Sequence, residues 1–422
     1  MDVLMLKGGA SLKGDVNISG SKNSSLPIMA ATLLTDDTVV LKRVPNLRDT
    51  RTMIKLLQSL GKEVDYKDNT LTVKAGKKAG YIADYDLVST MRGSFCVLGP
   101  LLGKLKKAKV SLPGGCVIGI RPVDLHIKGV EALGAKISVD GGYVLATAPK
   151  LIGNEIFLGG VFGSSVLATA NVLMAAVLAE GETVIEFAAC EPEIEDLTEF
   201  LIEMGANIEG KGSPRLKIKG VKKLKGITYE IIPDRIEAGT YILLAAATRS
   251  DLTIKNANLK HLFALVDRLN QAGVKVYAEK NGDIKVSTSK KFKPVSVTTY
   301  PYPGFPTDLQ AQFMAFMATI EGVSIISDKV YPDRFIHIAE MNRMGADIRR
   351  EGTAAIVQGV KKLHGAPVMA SDLRASAALL IAGLMAKGTT EIHRIYHLER
   401  GYEDLEDKLL KVGAKVWREK EK

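Results

Sequence analysis

Six short polar segments of the chain combine serine, threonine or aspartate with, in several cases, a lysine or arginine. Each is predicted to precede an apolar helix, where unpaired backbone N–H groups and the helix dipole favour an anion. A basic side chain beside such a helix start can complete a phosphate or carboxylate site. Ordinary helix capping explains any one segment equally well, but the recurrence favours a ligand site. The segments are 20–25, 90–94, 163–166, 233–240, 304–308 and 371–376.

A glycine-rich segment around Cys116 is a second candidate for chemistry. Arg121 follows the cysteine closely, and a nearby positive charge favours the thiolate. The glycines predict a mobile lid, and Pro122 suits the first turn of the next helix. Cys96 and Cys190 instead lie in apolar sequence that is typical of buried cysteines.

The elements that must position these segments recur six times. Each repeat is predicted to contain strand, strand, helix, strand, helix and strand, and a glycine ends the second helix. These glycines are spaced 68 to 73 residues apart, so each repeat is a small fold rather than a solenoid unit. We expect a left-handed backbone at all six, which are Gly61, Gly134, Gly205, Gly273, Gly345 and Gly413.

The repeats predict an α/β protein with two lobes of three repeats each. The last repeat stops soon after Val416, and segments 3–8 and 14–20 have the strand pattern that it lacks. The N-terminus is therefore expected to complete the C-terminal lobe. We predict lobes formed by 21–232 and by 1–20 with 233–422, with the active site in the cleft between them.

Composition narrows the classes of function. The chain has 422 residues, 46% of them hydrophobic, and a formal net charge of +10. It contains three cysteines, and no apolar stretch reaches the ~20 residues that span a bilayer. We expect no signal peptide, no membrane insertion, no metal and a cytoplasmic location. The spread of basic residues disfavours nucleic acid, and the positive charge suits an anionic ligand.

Seven motifs, in order along nearly the whole chain, resemble the UDP-N-acetylglucosamine 1-carboxyvinyltransferase family. That family has two inside-out α/β lobes, each built from a threefold βαβαββ-type repeat. This agrees with the repeats found from the residues themselves. The motifs are 19–23, 112–116 running into 121–126, 191–194, 232–240, 302–310, 372–376 and 400–403.

The resemblance implies transfer of the enolpyruvyl group of phosphoenolpyruvate to the 3′-hydroxyl of UDP-N-acetylglucosamine, with release of phosphate. The reaction proceeds by addition and elimination, without a metal or cofactor. It is the first committed step of peptidoglycan biosynthesis, and therefore of cell wall growth, cell shape and cell division. No protein partner is implied.

The resemblance also implies roles for individual residues. Asp308 corresponds to the base at the sugar hydroxyl, with a helix cap as the alternative. Cys116 corresponds to a residue that donates a proton or forms an adduct with phosphoenolpyruvate. Lys22, Arg121 and Arg400 correspond to the phosphate and carboxylate clamp. The expected nucleotide-sugar contacts are Asn23, Arg92, Pro122, Val123, Asp124, Leu125, Ser165, Val166 and Val330, and the further site candidates are Arg334 and Arg374.

One departure and three alternatives accompany this reading. Leu167 stands where the family usually has a glycine, so its side chain is expected to narrow the pocket for uridine diphosphate or to shift the loop. A shikimate 3-phosphate enolpyruvyl transferase shares the fold but lacks the cysteine segment. An RNA-end cyclase would need an adenylylation histidine in a matching motif. A divergent paralogue that binds a nucleotide sugar without catalysis is the third alternative.

Overall fold

A computed structural model of the chain describes residues 2–114, 123–289 and 291–421. Alternating buried and exposed side chains mark many of its strands, as expected for sheets with one face on a core. The strands are β1 Asp2–Lys7, β2 Lys13–Asn17, β3 Val39–Lys42, β4 Lys62–Lys67, β5 Thr70–Ala75, β6 Ile82–Ala83, β7 Lys107–Ser111, β8 Lys136–Asp140, β9 Tyr143–Thr147, β10 Glu155–Phe157, β11 Glu182–Glu186, β12 Asn207–Glu209, β13 Arg215–Lys219, β14 Thr228–Glu230, β15 Asp251–Lys255, β16 Val274–Ala278, β17 Ile284–Thr288, β18 Val297–Thr299, β19 Val323–Asp328, β20 Asp347–Glu351, β21 Ala354–Gln358, β22 Pro367–Met369, β23 Thr389–His393 and β24 Lys415–Lys420.

The α-helices are short, and several follow a turn of 3₁₀-helix. They are α1 Lys22–Ala31, α2 Arg48–Ser59, α3 Tyr85–Val88, α4 Leu98–Leu105, α5 Asp124–Ala132, α6 Val166–Ala176, α7 Pro192–Glu203, α8 Arg235–Ala247, α9 Phe263–Ala272, α10 Gln310–Met317, α11 His337–Arg343, α12 Leu373–Met385 and α13 Leu405–Lys411. The 3₁₀-helices are Thr32–Leu34, Arg92–Val97, Leu259–Leu262, Thr307–Leu309 and Ile395–Arg400. No helix among the described residues has the length and apolar character needed to cross a membrane.

The strands of the described residues form six four-stranded sheets with a common plan. Each sheet contains one parallel pair followed by two antiparallel pairs. The sheet orders are β14-β3-β5-β4, β6-β7-β9-β8, β10-β11-β13-β12, β2-β15-β17-β16, β18-β19-β21-β20 and β22-β23-β1-β24. The sixfold plan agrees with the repeat that the sequence predicts.

The described residues divide into two compact units. One contains 2–19 and 233–421 with its gap at 290, and the other contains 20–114 and 123–232. Each unit encloses its own apolar core. In the first unit, β1 pairs with both β23 and β24, and β2 pairs with β15. The pairing of β1 with β24 agrees with the prediction that the N-terminus supplies strands missing from the last repeat.

Three helices of each unit are buried on nearly all sides, because their sequences are largely apolar on every side after the first turn. They are α1, α4 and α6 in one unit and α8, α10 and α12 in the other. Their amino-terminal turns carry the polar segments identified from the sequence. All six predicted helix-ending glycines adopt a positive φ, between 88° and 105°, which a side chain would disfavour.

Candidate functional site

Asp308 lies in the 3₁₀ turn Thr307–Leu309, immediately before α10. Arg334 Nη1 donates to its Oδ1 at 2.7 Å, and Arg374 Nη2 lies 3.5 Å from its Oδ2. The Asp308 side chain is 25% exposed, whereas those of Arg334 and Arg374 are 5% and 1% exposed. The carboxylate is therefore the accessible end of the cluster, and two buried guanidinium groups set its orientation from behind.

The residues at the N-cap positions of the 3₁₀ turn and of α10 are Pro306 and Leu309, and neither makes a side-chain capping bond. Capping does explain other polar segments. Ser21, Ser165, Asp234 and Asp372 accept backbone N–H bonds at the starts of α1, α6, α8 and α12. Four of the six recurring segments therefore begin a helix with an ordinary cap.

The two arginines are held by further buried groups. Arg334 Nη2 lies 3.9 Å from Asp372 Oδ1, and the Arg374 guanidinium lies 5.5 Å from the centre of the Tyr402 ring. Burial alone would lower the pKa of Arg334, but Asp308 and Asp372 hold it above its ordinary value. Burial would likewise raise the pKa of Asp372, and Arg334 holds it below its ordinary value instead. Arg334 and Asp372 therefore each favour the charged form of the other.

Asp328 joins the turn that carries Asp308 to the segment that carries Val330. Its Oδ2 accepts from the Thr307 hydroxyl at 2.7 Å, and its Oδ1 accepts from the Val330 N–H at 2.9 Å. The Thr299 hydroxyl and the Tyr331 N–H also donate to Oδ1, each at 2.7 Å. One fully buried carboxylate thus fixes two segments that the sequence assigns to the same site.

Arg400, the remaining candidate of this unit, ends the 3₁₀-helix Ile395–Arg400 and is half-buried. Tyr402 lies two residues further on, and its hydroxyl shares a 3.0 Å hydrogen bond with the Thr240 hydroxyl, in which either group can be the donor. Gln312 links the same hydroxyl pair to Asp308, because its Nε2 donates to the Asp308 carbonyl at 2.9 Å and to Tyr402 at 3.3 Å. Hydrogen bonds through Gln312 therefore connect Asp308 with Tyr402, two residues after Arg400.

In the other unit, Lys22 and Asn23 form the first turn of α1. Lys22 Nζ lies 3.4 Å from Asp49 Oδ2 at the start of α2, and the two side chains are 10% and 5% exposed. The ammonium group is thus poised at a helix start with a buried counter-charge behind it. This is the arrangement expected of a basic residue that receives an anion.

Val123, Asp124 and Leu125 begin α5, while Ser165 and Val166 begin α6. The first turns of α5 and α6 are close together. Gly160, five residues before Ser165, lies so near the Leu125 side chain that a Cβ atom at this glycine would be 3.0 Å from Leu125 Cδ1. The Ser165 hydroxyl accepts from the Ala168 N–H at 3.3 Å. Leu167 is partly buried against the core of this unit. Two of the predicted nucleotide-sugar segments therefore share one surface.

Arg92 begins the 3₁₀-helix Arg92–Val97 and acts electrostatically on His126. Burial, with a further contribution from Arg92, lowers the pKa of His126 to about 3. His126 Nδ1 lies 2.7 Å from Asn171 Nδ2, which also donates to the Phe95 carbonyl at 3.0 Å. His126 is therefore a neutral residue of the interior.

Cys116, Arg121 and Pro122 lie outside the described residues. The other two cysteines are described. Burial raises the pKa of the Cys96 thiol to about 12, and burial and then Glu191 raise that of Cys190. Neither thiol forms much thiolate at neutral pH, as expected for cysteines with a packing role.

The sequence reasoning missed Asp328, Asp49 and Asp372 as parts of the site. Asp372 stands in one of the six recurrent polar segments, two residues before Arg374, so the repeat offered a signal for it. Asp49 directly follows Arg48 but lies outside those segments. Asp328 ends a strand in a segment without such a pattern. Within the described residues, no three His, Cys, Asp or Glu side chains are grouped to hold a metal ion.

The chain is similar to known proteins over its whole length. Residues 6–409 match the family model described as EPSP synthase (3-phosphoshikimate 1-carboxyvinyltransferase). The UDP-N-acetylglucosamine 1-carboxyvinyltransferase of Methylacidiphilum infernorum is 51% identical over 418 residues, with 99% of each chain covered. That of Thermodesulfovibrio yellowstonii is 51% identical over 421 residues, covering 99% of this chain and 100% of the relative.

Solved structures give the same answer for the fold. The enolpyruvyl transferase NikO from Streptomyces tendae has a TM-score of 0.89 at 26% identity, with 99% of this chain and 98% of that one covered. EPSP synthase from Acinetobacter baumannii has a TM-score of 0.75 at 19% identity, with both chains fully covered. The latter similarity concerns the fold alone.

Proposed function

The chain belongs to the UDP-N-acetylglucosamine 1-carboxyvinyltransferase family, and we propose that the two groups of polar residues described above carry out its reaction. The enzyme transfers the enolpyruvyl group of phosphoenolpyruvate to the 3′-hydroxyl of UDP-N-acetylglucosamine and releases phosphate. This reaction begins peptidoglycan biosynthesis. The full-length similarity to relatives of this name carries the assignment, and it favours this acceptor over shikimate 3-phosphate.

Asp308 serves as the base in this proposal. It takes the proton of the 3′-hydroxyl while the sugar oxygen bonds to C2 of phosphoenolpyruvate and C3 receives a proton. The tetrahedral intermediate then loses phosphate, and the C2–C3 double bond forms again as C3 gives up a proton. The partly exposed carboxylate, held by Arg334 and Arg374 from its buried side, supports this role because a base must be fixed within reach of its proton.

Cys116 either donates the proton to C3 or forms an adduct with phosphoenolpyruvate, and both roles stay open. A low thiol pKa would favour the adduct and oppose proton donation at neutral pH. Lys22, Arg121 and Arg400 hold the phosphate and carboxylate of phosphoenolpyruvate. The Lys22 ammonium at the start of α1 supports this part of the clamp, because a helix start and a cation together favour an anion.

The residues proposed to contact the acceptor belong to both units. Asn23, Arg92, 122–125, Ser165 and Val166 contribute from one unit, and Val330 contributes from the other. The adjoining starts of α5 and α6 support a common surface for the nucleotide. We further propose a cytoplasmic location, where a reactive thiol stays reduced.

An assay of phosphate release from phosphoenolpyruvate tests the assignment. We expect release with UDP-N-acetylglucosamine and none with shikimate 3-phosphate or without an acceptor. Release with shikimate 3-phosphate alone would contradict the assignment. Binding of the nucleotide sugar without release under any condition would favour the non-catalytic paralogue.

Asp308→Asn tests the base. We expect kcat to fall at least about 100-fold, a typical contribution of a positioned base, while the dissociation constant of UDP-N-acetylglucosamine changes little. Asp333→Asn is the matched control. Asp333 directly precedes Arg334 in the sequence, but its side chain pairs with Arg350 at the surface. Calorimetry and the phosphate assay measure the two quantities. Full turnover of Asp308→Asn would exclude it as the base.

A further inference from the structure

Asp196 is a buried acid to which the mechanism above gives no part. It lies in α7, far from any residue of the reaction in sequence, and is 5% exposed. Its Oδ1 accepts from the Tyr229 hydroxyl at 2.6 Å. Its Oδ2 accepts from the Ser24 hydroxyl and, at 3.5 Å, from the Ile232 N–H. Three neutral donors from three different segments thus converge on one carboxylate.

Ser24 connects this carboxylate to the proposed site. It belongs to the first turn of α1, which also carries Lys22 and Asn23. The Ser24 N–H donates to the capping hydroxyl of Ser21 at 3.2 Å, and the Ser21 N–H donates to the Ile232 carbonyl at 2.8 Å. The helix start, Asp196 and residue 232 therefore form a closed ring of hydrogen bonds.

The surroundings make this a costly place for an anion. Burial raises the pKa of Asp196 to about 6, against the opposing effect of the bonds from Ser24 and Tyr229. The charged or titratable groups on the packed elements are Glu193 on α7, Tyr229 on β14, and Lys22 with its partner Asp49 at the starts of α1 and α2. A carboxylate held at such a cost gives its donors stronger and more directional bonds than a neutral group would.

We propose that Asp196 is a positioning residue of the enolpyruvyl transfer, acting through the Ser24 hydroxyl to fix the helix turn that presents Lys22 and Asn23. The inference rests on the proposed role of Lys22 in holding phosphoenolpyruvate. It adds to that role the group that fixes the direction of the helix start. Asp196 acts on the first turn of α1, which carries the proposed binding residue Lys22. Its loss therefore weakens phosphoenolpyruvate binding more than it slows the reaction of the bound substrates.

Ser24→Ala removes the hydroxyl and leaves the backbone cap of α1 in place. We expect the KM for phosphoenolpyruvate to rise about 10-fold, as for the loss of one hydrogen bond to a charged group, with kcat within about 2-fold of the wild type. Tyr229→Phe is the matched control, since it removes another donor from the same carboxylate without touching α1. The KM of Tyr229→Phe for phosphoenolpyruvate is expected to stay within about 2-fold of the wild-type value, even if this variant loses as much thermal stability as Ser24→Ala does.

The pH dependence gives a readout that a packing role would not produce. Below about pH 6 Asp196 takes up a proton, and its charge-assisted bond to Ser24 becomes a weaker neutral one. The KM of Ser24→Ala divided by that of the wild type should therefore fall toward one as the pH falls from 8 to 5. Ionisation of the substrate affects both proteins equally and cancels from the ratio.

The outcomes separate this inference from the proposed function. A wild-type protein without phosphate release would reject the proposed function itself. An active wild type with an unchanged KM in Ser24→Ala, or a KM ratio that is the same at pH 5 and pH 8, would overturn the role of Asp196. If Ser24→Ala does not fold, Asp196→Asn must show the raised KM, and an unchanged KM there would equally overturn it.

Discussion

Replacing Lys408 by methionine tests how a buried charge pair supports one of the two units. Lys408 Nζ, on α13, donates to Glu237 Oε1 at 2.6 Å and to the Ser19 hydroxyl at 2.7 Å. The Ser19 N–H donates to the other oxygen of Glu237 at 2.8 Å. The two charged side chains are 12% and 2% exposed. Lys408→Met would therefore leave a carboxylate buried without its cation.

The cost follows from that geometry. Removing one partner of a buried pair destabilises a protein by about 3–5 kcal/mol. For a unit of this size, about 2–4 °C is lost per kcal/mol, so the melting temperature should fall by roughly 10 °C at pH 8. Burial already raises the pKa of Glu237 above its ordinary value, with Lys408 opposing the shift. In the variant that opposition is gone, and the pKa rises further.

The sign of the pH effect is fixed by this raised pKa. A carboxyl group whose pKa is higher in the folded than in the unfolded state favours folding at low pH and loses that contribution as the pH rises through the folded value. The deficit of Lys408→Met should thus shrink between pH 8 and pH 5. Calorimetry of both proteins across this range measures it. In the Glu237→Gln/Lys408→Met double variant, which buries no charge at these positions, the deficit at pH 8 should be smaller than that of Lys408→Met.

Two results would refute the reasoning. A Lys408→Met protein within about 1 kcal/mol of the wild type at pH 8 would mean that the pair is solvated or replaceable. A deficit of equal size at pH 5 and pH 8 would mean that Lys408 contributes packing by its aliphatic stem rather than charge.

Three further changes test separate parts of the structure. A small epoxide at pH 8 should modify Cys116 and spare Cys96 and Cys190, whose thiol pKa values are raised, as peptide mass spectrometry would show. Gly205→Ala should cost about 1 kcal/mol in denaturation experiments, because a φ of 105° is strained for alanine while nothing lies within 4 Å of the new methyl group. Asp328→Asn should raise the KM for the nucleotide sugar and lower kcat, since an amide hydrogen would then face one of the four donors and cost about 1–3 kcal/mol. Unchanged kinetics in the last variant would contradict the proposed role of its loops.

The repeat made much of the fold predictable. A glycine after a helix and before a strand has a local cause, the left-handed turn that ends the helix, and all six predicted positions have it. The incomplete last repeat indicated where strands were missing, and β1 does pair with β24. The α/β class was predicted correctly from the repeats, and the family was predicted correctly from the seven motifs.

The contacts of the site were less predictable. Asp308, Arg334 and Arg374 were each identified as candidates, but nothing in the sequence indicated that both arginines hold the same carboxylate. Their proximity depends on how α10 and α12 pack and on the segment after β19. Ser24 and Asp196 are separated by 172 residues and meet only because α1 and α7 are neighbours. Such pairings are tertiary and leave no local pattern.

Two charges of the proposed site, on Asp308 and Lys22, share one arrangement, in which a more buried group of opposite charge lies beside each. Asp308 is backed by Arg334 and Arg374, and Lys22 is backed by Asp49. Because a buried pair gains little net stability over apolar packing, stability is a weak explanation for this recurrence. Orientation explains it better, since a charge fixed before the substrate binds needs no reorganisation during the reaction. It follows that the buried partners should matter to turnover nearly as much as the residues that meet the substrates.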